Sequence, residues 1–144
     1  VWELFPGEDS FFYYVTQDAR LVRRPYWEGA SQALLLDDFT RGTIWREKLY
    51  FVGTDGVLKT CDLETLELGK GEELGSTPTA LFGLGDTLYL RFPDGLYRDQ
   101  KNGPPILLLE GPISGLSAVG DSLWFTCDGH LWRAEGDIVE SIQP

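Results

Sequence analysis

The chain has 144 residues, 42% hydrophobic and 24% charged, which is long enough for one domain with a core and too apolar for wholesale disorder. Twelve basic against 23 acidic residues leave a net charge of −11. That field repels a nucleic-acid phosphate backbone, and no aromatic-basic stripe offsets it, so no nucleic-acid partner is expected.

The 17 glycines and 8 prolines lie scattered between apolar runs as turn punctuation, which favours many short strands over long helices. No apolar run approaches about 18 residues, so no membrane-spanning helix is expected, and no secretory leader is read at the start. The first residue is Val and Met is absent, which reads as a chain processed or excised from something longer. Cys61 and Cys127 match neither a metal-ligand spacing nor a disulfide framework and are expected as packed or free thiols.

In chain order, a short apolar run over residues 1–5 is followed by an aromatic hairpin over 8–23 (EDSFFYYVTQDARLVR) that turns at Asp18-Ala19. Arg20, Arg23 and Arg24 form the densest basic cluster, next to Tyr26 and Trp27, and read as a solvated strand face; a further apolar run covers 33–36. Residues 43–46, including Trp45, lead into the hairpin over 47–59 (EKLYFVGTDGVLK), turning at Asp55-Gly56, with a weak outer run at 66–68 and Leu74. Residues 79–84 open a third unit, whose hairpin over 86–98 (DTLYLRFPDGLYR) turns at Asp94-Gly95 before an outer run at 106–109. The fourth repeats the order with 115–119, the hairpin over 121–133 (DSLWFTCDGHLWR) at Asp128-Gly129, and 138–142. Asp-Gly pairs are tight-hairpin chemistry, because both residues tolerate positive φ.

The turn aspartates Asp18, Asp55, Asp94 and Asp128 are separated by 37, 39 and 34 residues, and four such units nearly exhaust the chain. Each unit supplies an inner strand, a hairpin and an outer strand. Phe11 to Val15, Leu49 to Val52, Leu88 to Leu90 and Leu123 to Phe125 are apolar without alternation, so both sheet faces must be covered, as neighbouring blades do in a propeller. The expectation is an all-β propeller of four-stranded antiparallel blades, four tandem repeats of about 36 residues. Blade edges are placed near residues 1–41, 42–77, 78–112 and 113–144 of a single propeller unit. Closure is open between a four-blade ring, pairing with a second copy, and blades of a larger chain.

The string from Gly85 (GDTLYLRFPDGLYR) and that from Gly120 (GDSLWFTCDGHLWR) resemble bacterial β-propeller repeats related to lipoprotein-receptor propellers. In those repeats Gly-Asp opens the second strand and Asp-Gly turns into the third. The resemblance covers the hairpins, roughly half the chain; the first unit departs from it with Asp18-Ala19, and the Tyr-Trp-Thr-Asp signature is absent. Leu131-Trp132-Arg133 also resembles an ending that recurs in hemopexin-type four-blade propellers, whose units are longer. Either resemblance implies a non-enzymatic recognition platform.

The residues point the same way. The single histidine, His130, follows a tight turn, and no nucleophile elbow or oxyanion glycine motif accompanies it. Ligands for a metal are lacking in number and spacing. Asp37-Asp38 and Glu72-Glu73 are adjacent, hence on opposite faces of an extended strand. The four turn aspartates share a rim, where turn chemistry already accounts for them without a cation. No enzyme, cofactor or metal is expected. What remains is binding surface: Arg41 on the rim with Asp55, Asp94 and Asp128, and Trp45, Tyr26 and Trp27 as the aromatics least explained by the blade pattern. The expected function is a binding module for another protein or a second copy of itself. The alternative is a lectin-like propeller binding a glycan, which predicts similar pockets in successive blades. Protein interaction predicts one asymmetric apolar patch instead.

Overall fold

A computed structural model describes residues 3–6, 11–16, 20–25, 33–36, 38–100 and 103–142. Asp18, Tyr26, Trp27 and Asp37 lie outside that set. Sixteen strands form four sheets of four, and no helix occurs among the described residues. Blade 1 holds β1 (Glu3–Pro6), β2 (Phe11–Val15), β3 (Leu21–Pro25) and β4 (Ala33–Leu36). Blade 2 holds β5 (Arg41–Trp45), β6 (Lys48–Val52), β7 (Val57–Asp62) and β8 (Glu72–Glu73). Blade 3 holds β9 (Ala80–Leu84), β10 (Thr87–Phe92), β11 (Gly95–Arg98) and β12 (Ile106–Glu110). Blade 4 holds β13 (Ile113–Val119), β14 (Ser122–Cys127), β15 (His130–Glu135) and β16 (Ile138–Ser141). Each sheet is a meander in which consecutive strands are neighbours. Arg41 belongs to the second sheet, because it pairs with Val52.

The turns differ in kind. Asp128-Gly129 is the two-residue turn its sequence suggests: Cys127 pairs with His130, and the two residues take φ of 51° and 78°. In blade 3 the register is one residue earlier. Phe92 pairs with Gly95, so Pro93-Asp94 make the turn and Gly95 is already strand. In blade 2, Asp55-Gly56 close a longer loop in which the Gly56 N–H donates to the Gly53 carbonyl at 3.2 Å.

The expected outer strand of blade 2 over residues 66–68 forms only a bridge, Cys61 to Leu68, and the strand lies later, at Glu72–Glu73. Asp62 is the cause. Its carboxylate accepts the N–H groups of Glu64 and Thr65 at 2.9 and 3.0 Å, its carbonyl accepts Leu66 N–H at 2.7 Å, and Leu66 turns to φ 63°. The tight turn returns the chain to β7 for only two bonds, from Asp62 N–H to the Glu67 carbonyl at 2.9 Å and from Gly69 N–H to the Thr60 carbonyl at 2.8 Å.

Register aligns the repeats residue by residue. Tyr13, Tyr50, Tyr89 and Trp124 stand opposite Arg23, Thr60, Arg98 and Arg133. Two positions on, Val15, Val52, Arg91 and Thr126 stand opposite Leu21, Leu58, Leu96 and Leu131. These positions share what we term the forward face of each blade. The intervening Tyr14, Phe51, Leu90 and Phe125 lie on the reverse face.

The chain divides into two compact units, Val1–Glu72 and Glu73–Pro144. In the first, Tyr13, Val15 and Leu21 from the forward face of blade 1 share a core with Leu49, Phe51 and Cys61 from the reverse face of blade 2. In the second, Tyr89 and Leu96 pack in the same way with Leu123, Phe125 and Cys127. This packing is why Tyr13 and Tyr89 are apolar on the forward face of their strands and Leu49, Phe51, Leu123 and Phe125 on the reverse face of theirs, and each fully buried Leu or Phe contributes about 1.5–3 kcal/mol. Both cysteines are free and buried, and burial pushes both thiols above their ordinary pKa.

Polar clasps lock each pair of blades. In the first unit Arg23 Nη1 donates to the Leu63 carbonyl of blade 2 at 2.9 Å. In the second, the Tyr89 hydroxyl donates to the Gly136 carbonyl at 2.9 Å, and Arg98 Nε forms an ion pair with Asp137. Burial raises the Tyr89 phenol above its usual pKa, keeping it a donor.

Candidate functional site

Arg41, Trp45 and Asp55 fall in the first unit, Asp94 and Asp128 in the second. Arg41 opens β5, is exposed, and donates from Nη1 to the Thr40 carbonyl at 2.9 Å. Its pairing with Val52 sets it at the end of blade 2 that carries the Asp55 loop. Asp55 accepts the Val57 N–H at 3.1 Å and pairs with Lys59 Nζ at 3.1 Å. Those contacts, the backbone hydrogen bond first, hold its carboxyl below the usual range. Asp38 pins the same loop by accepting Thr54 N–H at 3.0 Å.

Trp45 ends β5 four residues later, about 13 Å along the strand, at the opposite end of the blade. Its ring sits 5.1 Å from that of Tyr50 in a tilted contact, and the Arg46 guanidinium lies 4.5 Å over it. The three form a continuous aromatic-cationic stack. Beneath it is an unusual turn. Trp45 pairs with Lys48, and the two residues between, Arg46 and Glu47, take φ of 53° and 64°. At the same turn blades 3 and 4 have Gly85-Asp86 and Gly120-Asp121. A non-glycine residue held left-handed costs roughly 1–2 kcal/mol. Replacing Arg46 and Glu47 together by Asn and Gly is therefore expected to raise unfolding free energy by about 1 kcal/mol, read by urea titration. A loss of stability would show that the arginine stack more than offsets the strain.

The remaining aspartates have local work. Asp94 accepts the Tyr97 hydroxyl at 2.9 Å, which pushes that phenol's pKa up, and Asp128 sits in its turn with Oδ2 3.9 Å from Cys127 Sγ. His130 is exposed beyond that turn. Among the described residues no three His, Cys, Asp or Glu side chains converge in a way that could hold a metal ion. The structure thus keeps Arg41 near Asp55, sets Trp45 at the far end with Arg46, and leaves Asp94 and Asp128 in another unit. Sequence reasoning passed over Arg46. The available signal was the break in the repeat, Arg-Glu where two other units read Gly-Asp.

No protein-family model and no curated protein matches the chain. Solved structures do. A protein of unknown function from Bacteroides thetaiotaomicron VPI-5482 superposes with a TM-score of 0.60 at 10% identity, over 92% of this chain and 44% of that one. The computationally designed Ika8 protein gives 0.64 at 13%, over 96% and 46%. The Cps50 (Swd1) β-propeller domain of Myceliophteria thermophila gives 0.62 at 14%, over 93% and 55%. These sheets are the blades of a β-propeller. At such identities the likeness shows the fold alone, and the chain spans about half the length of each of these structures. In propeller terms, Arg41 and Asp55 belong to one rim of blade 2, and the Trp45–Arg46 stack to the other.

Proposed function

We propose that this propeller is a non-enzymatic binding module that engages a partner protein through the Trp45–Arg46–Tyr50 stack. The carrying observation is that stack on its strained turn: blade 2 departs from the Gly-Asp of blades 3 and 4, and at that point it presents Trp, Arg and Tyr together. These are the side chains that dominate binding hot spots, and a stack already ordered loses little freedom on docking. The lectin reading expects the feature to recur, yet the positions equivalent to Trp45 are Leu84 and Val119. Kinship with the lipoprotein-receptor-related repeats belongs to the same proposal and rests on the strings at Gly85 and Gly120.

The test compares capture by the immobilised chain with capture by Trp45→Ala and by the Arg46→Asn/Glu47→Gly pair, with retained proteins identified by mass spectrometry. A specific protein held by the native chain and lost from both variants supports the reading, since the second variant is expected to be more stable than the parent. Equal retention by all three sinks it. A glycan-array signal abolished by Trp45→Ala and blocked by free sugar would replace the protein partner with a carbohydrate.

A further inference from the structure

Blade 3 breaks the repeat at one interior position. The second-strand residue opposite the leucine that opens the third strand is Val15 in blade 1 and Val52 in blade 2, both buried, and Thr126 in blade 4. In blade 3 it is Arg91, flanked by Leu96 on one side and Ala80 on the other. Its hydrogen-bond partners, Thr79 and Ile113, belong to the same compact unit, Glu73–Pro144.

Arg91 is partly exposed, and its guanidinium is held from one side. Nε donates to Thr79 Oγ1 at 2.8 Å, and that hydroxyl donates in turn to the Arg91 carbonyl at 3.2 Å. The Thr79 N–H donates to the same carbonyl at 2.7 Å, so the threonine that pins the side chain is itself fixed to β10. Nη1 reaches the Ile113 carbonyl of blade 4 only at 3.5 Å, the outer limit of a hydrogen bond. Among the described residues no carboxylate pairs with Arg91, and Nη2 has no partner. Joining blades 3 and 4 is the work of other groups, the Tyr89 hydroxyl on the Gly136 carbonyl and the Arg98–Asp137 ion pair. A half-buried cation in a valine's place, without a counter-ion, costs stability that these contacts do not return. What it leaves is a planar fork of two nitrogens, Nη1 and Nη2, oriented in advance.

Charge selects what the fork takes. Two parallel N–H groups match a carboxylate or a phosphate. One guanidinium cancels one negative charge, and the net −11 of the chain opposes a second. A singly charged carboxylate meets both conditions.

We propose that Arg91, positioned by Thr79, binds the carboxylate group of a ligand at the end of blade 3 that carries the Pro93–Asp94 turn. The site lies in a different unit from the Trp45–Arg46–Tyr50 stack, so either can fail without the other.

The experiment follows arginine side-chain signals by NMR in the whole chain, labelled with nitrogen-15 arginine. The Arg91 and Arg24 signals are assigned by their loss in Arg91→Lys and Arg24→Lys. Sodium acetate is titrated against sodium chloride at equal ionic strength. The Arg91 Nη signals are expected to shift saturably with acetate and not with chloride, while those of Arg24, exposed on blade 1, do not saturate. Thr79→Val removes the pin and is expected to weaken acetate binding roughly threefold to tenfold, the worth of one hydrogen bond, with an unchanged far-ultraviolet circular dichroism spectrum. A capped peptide with a single glutamate that saturates below acetate assigns the carboxylate to a protein ligand, and one that saturates above it assigns a small acid; both uphold the site. Equal shifts at Arg91 and Arg24 overturn the proposal, as does a folded Thr79→Val that binds acetate as the native chain does. Phosphate saturating tenfold below acetate overturns the carboxylate assignment.

Discussion

Leu96→Ala is expected to lower unfolding free energy by about 2–5 kcal/mol, the range for emptying a well-packed leucine site. Leu131→Ala, the same substitution at the same repeat position, is expected to change it by less than about 1 kcal/mol. Leu96 is sealed in the core of the second unit with Tyr89, Leu123 and Phe125, so its removal leaves a cavity walled by side chains whose own positions are fixed. Leu131 sits one blade later, is exposed, and leaves no cavity. Guanidinium titrations of the two variants settle the matter. Equal losses would mean that Leu131 is packed as tightly as Leu96.

The second large effect concerns two glycines that the sequence presents as equivalent. Gly95→Ala is expected to cost about 1–3 kcal/mol from overpacking, since the new Cβ would stand 2.4 Å from the Leu109 carbonyl oxygen and 3.3 Å from Glu110 Cα. Those are backbone atoms of β12, so the outer strand must move away. With it goes the hydrogen bond from Gly111 N–H to the Asp94 carbonyl at 2.8 Å. Gly129→Ala meets no atom within 4 Å and bears only the left-handed strain of φ 78°, about 1–2 kcal/mol. Asparagine separates the two mechanisms, because it tolerates the left-handed region but is larger than alanine. Gly129→Asn should recover most of the loss, and Gly95→Asn should be at least as damaging as Gly95→Ala. Thermal unfolding of the four variants reads this directly; recovery at both positions would remove steric crowding as the explanation for Gly95.

That contrast also marks how far the residues could be read in advance. The four hairpins were legible because their signals are local: an apolar-aromatic run, a turn residue that tolerates positive φ, and a second run ending in a basic side chain. The double-sided apolar strands revealed the propeller, since no half-exposed sheet needs Leu123, Trp124 and Phe125 in succession. Turn register was less accessible. Pro93 adds one residue before Asp94, and only the ladder decides whether Asp94-Gly95 or Pro93-Asp94 closes the hairpin. The short β8 was hidden for a related reason: Leu66 and Leu68 look like part of a strand until the Asp62 carboxylate claims the neighbouring N–H groups. For the candidate site, Trp45 and Arg41 stood out as residues that blade packing does not demand. Arg46 did not, because a left-handed arginine carries no mark in the sequence other than the glycine it stands in place of. Asp18, Tyr26 and Trp27 lie outside the described residues, and Asp55 and Asp94 each bond a neighbour in their own hairpin.

Each half of the molecule holds one cysteine, Cys61 in the first unit and Cys127 in the second, both closed off from solvent. A soluble oxidant or alkylating reagent reaches either sulfur only when its own half opens. The chemical lifetime of each thiol is therefore a clock for the breathing of that half, and the two clocks run in one chain without any label being introduced. Ageing of the protein by oxidation and loss of its fold become, half by half, the same event.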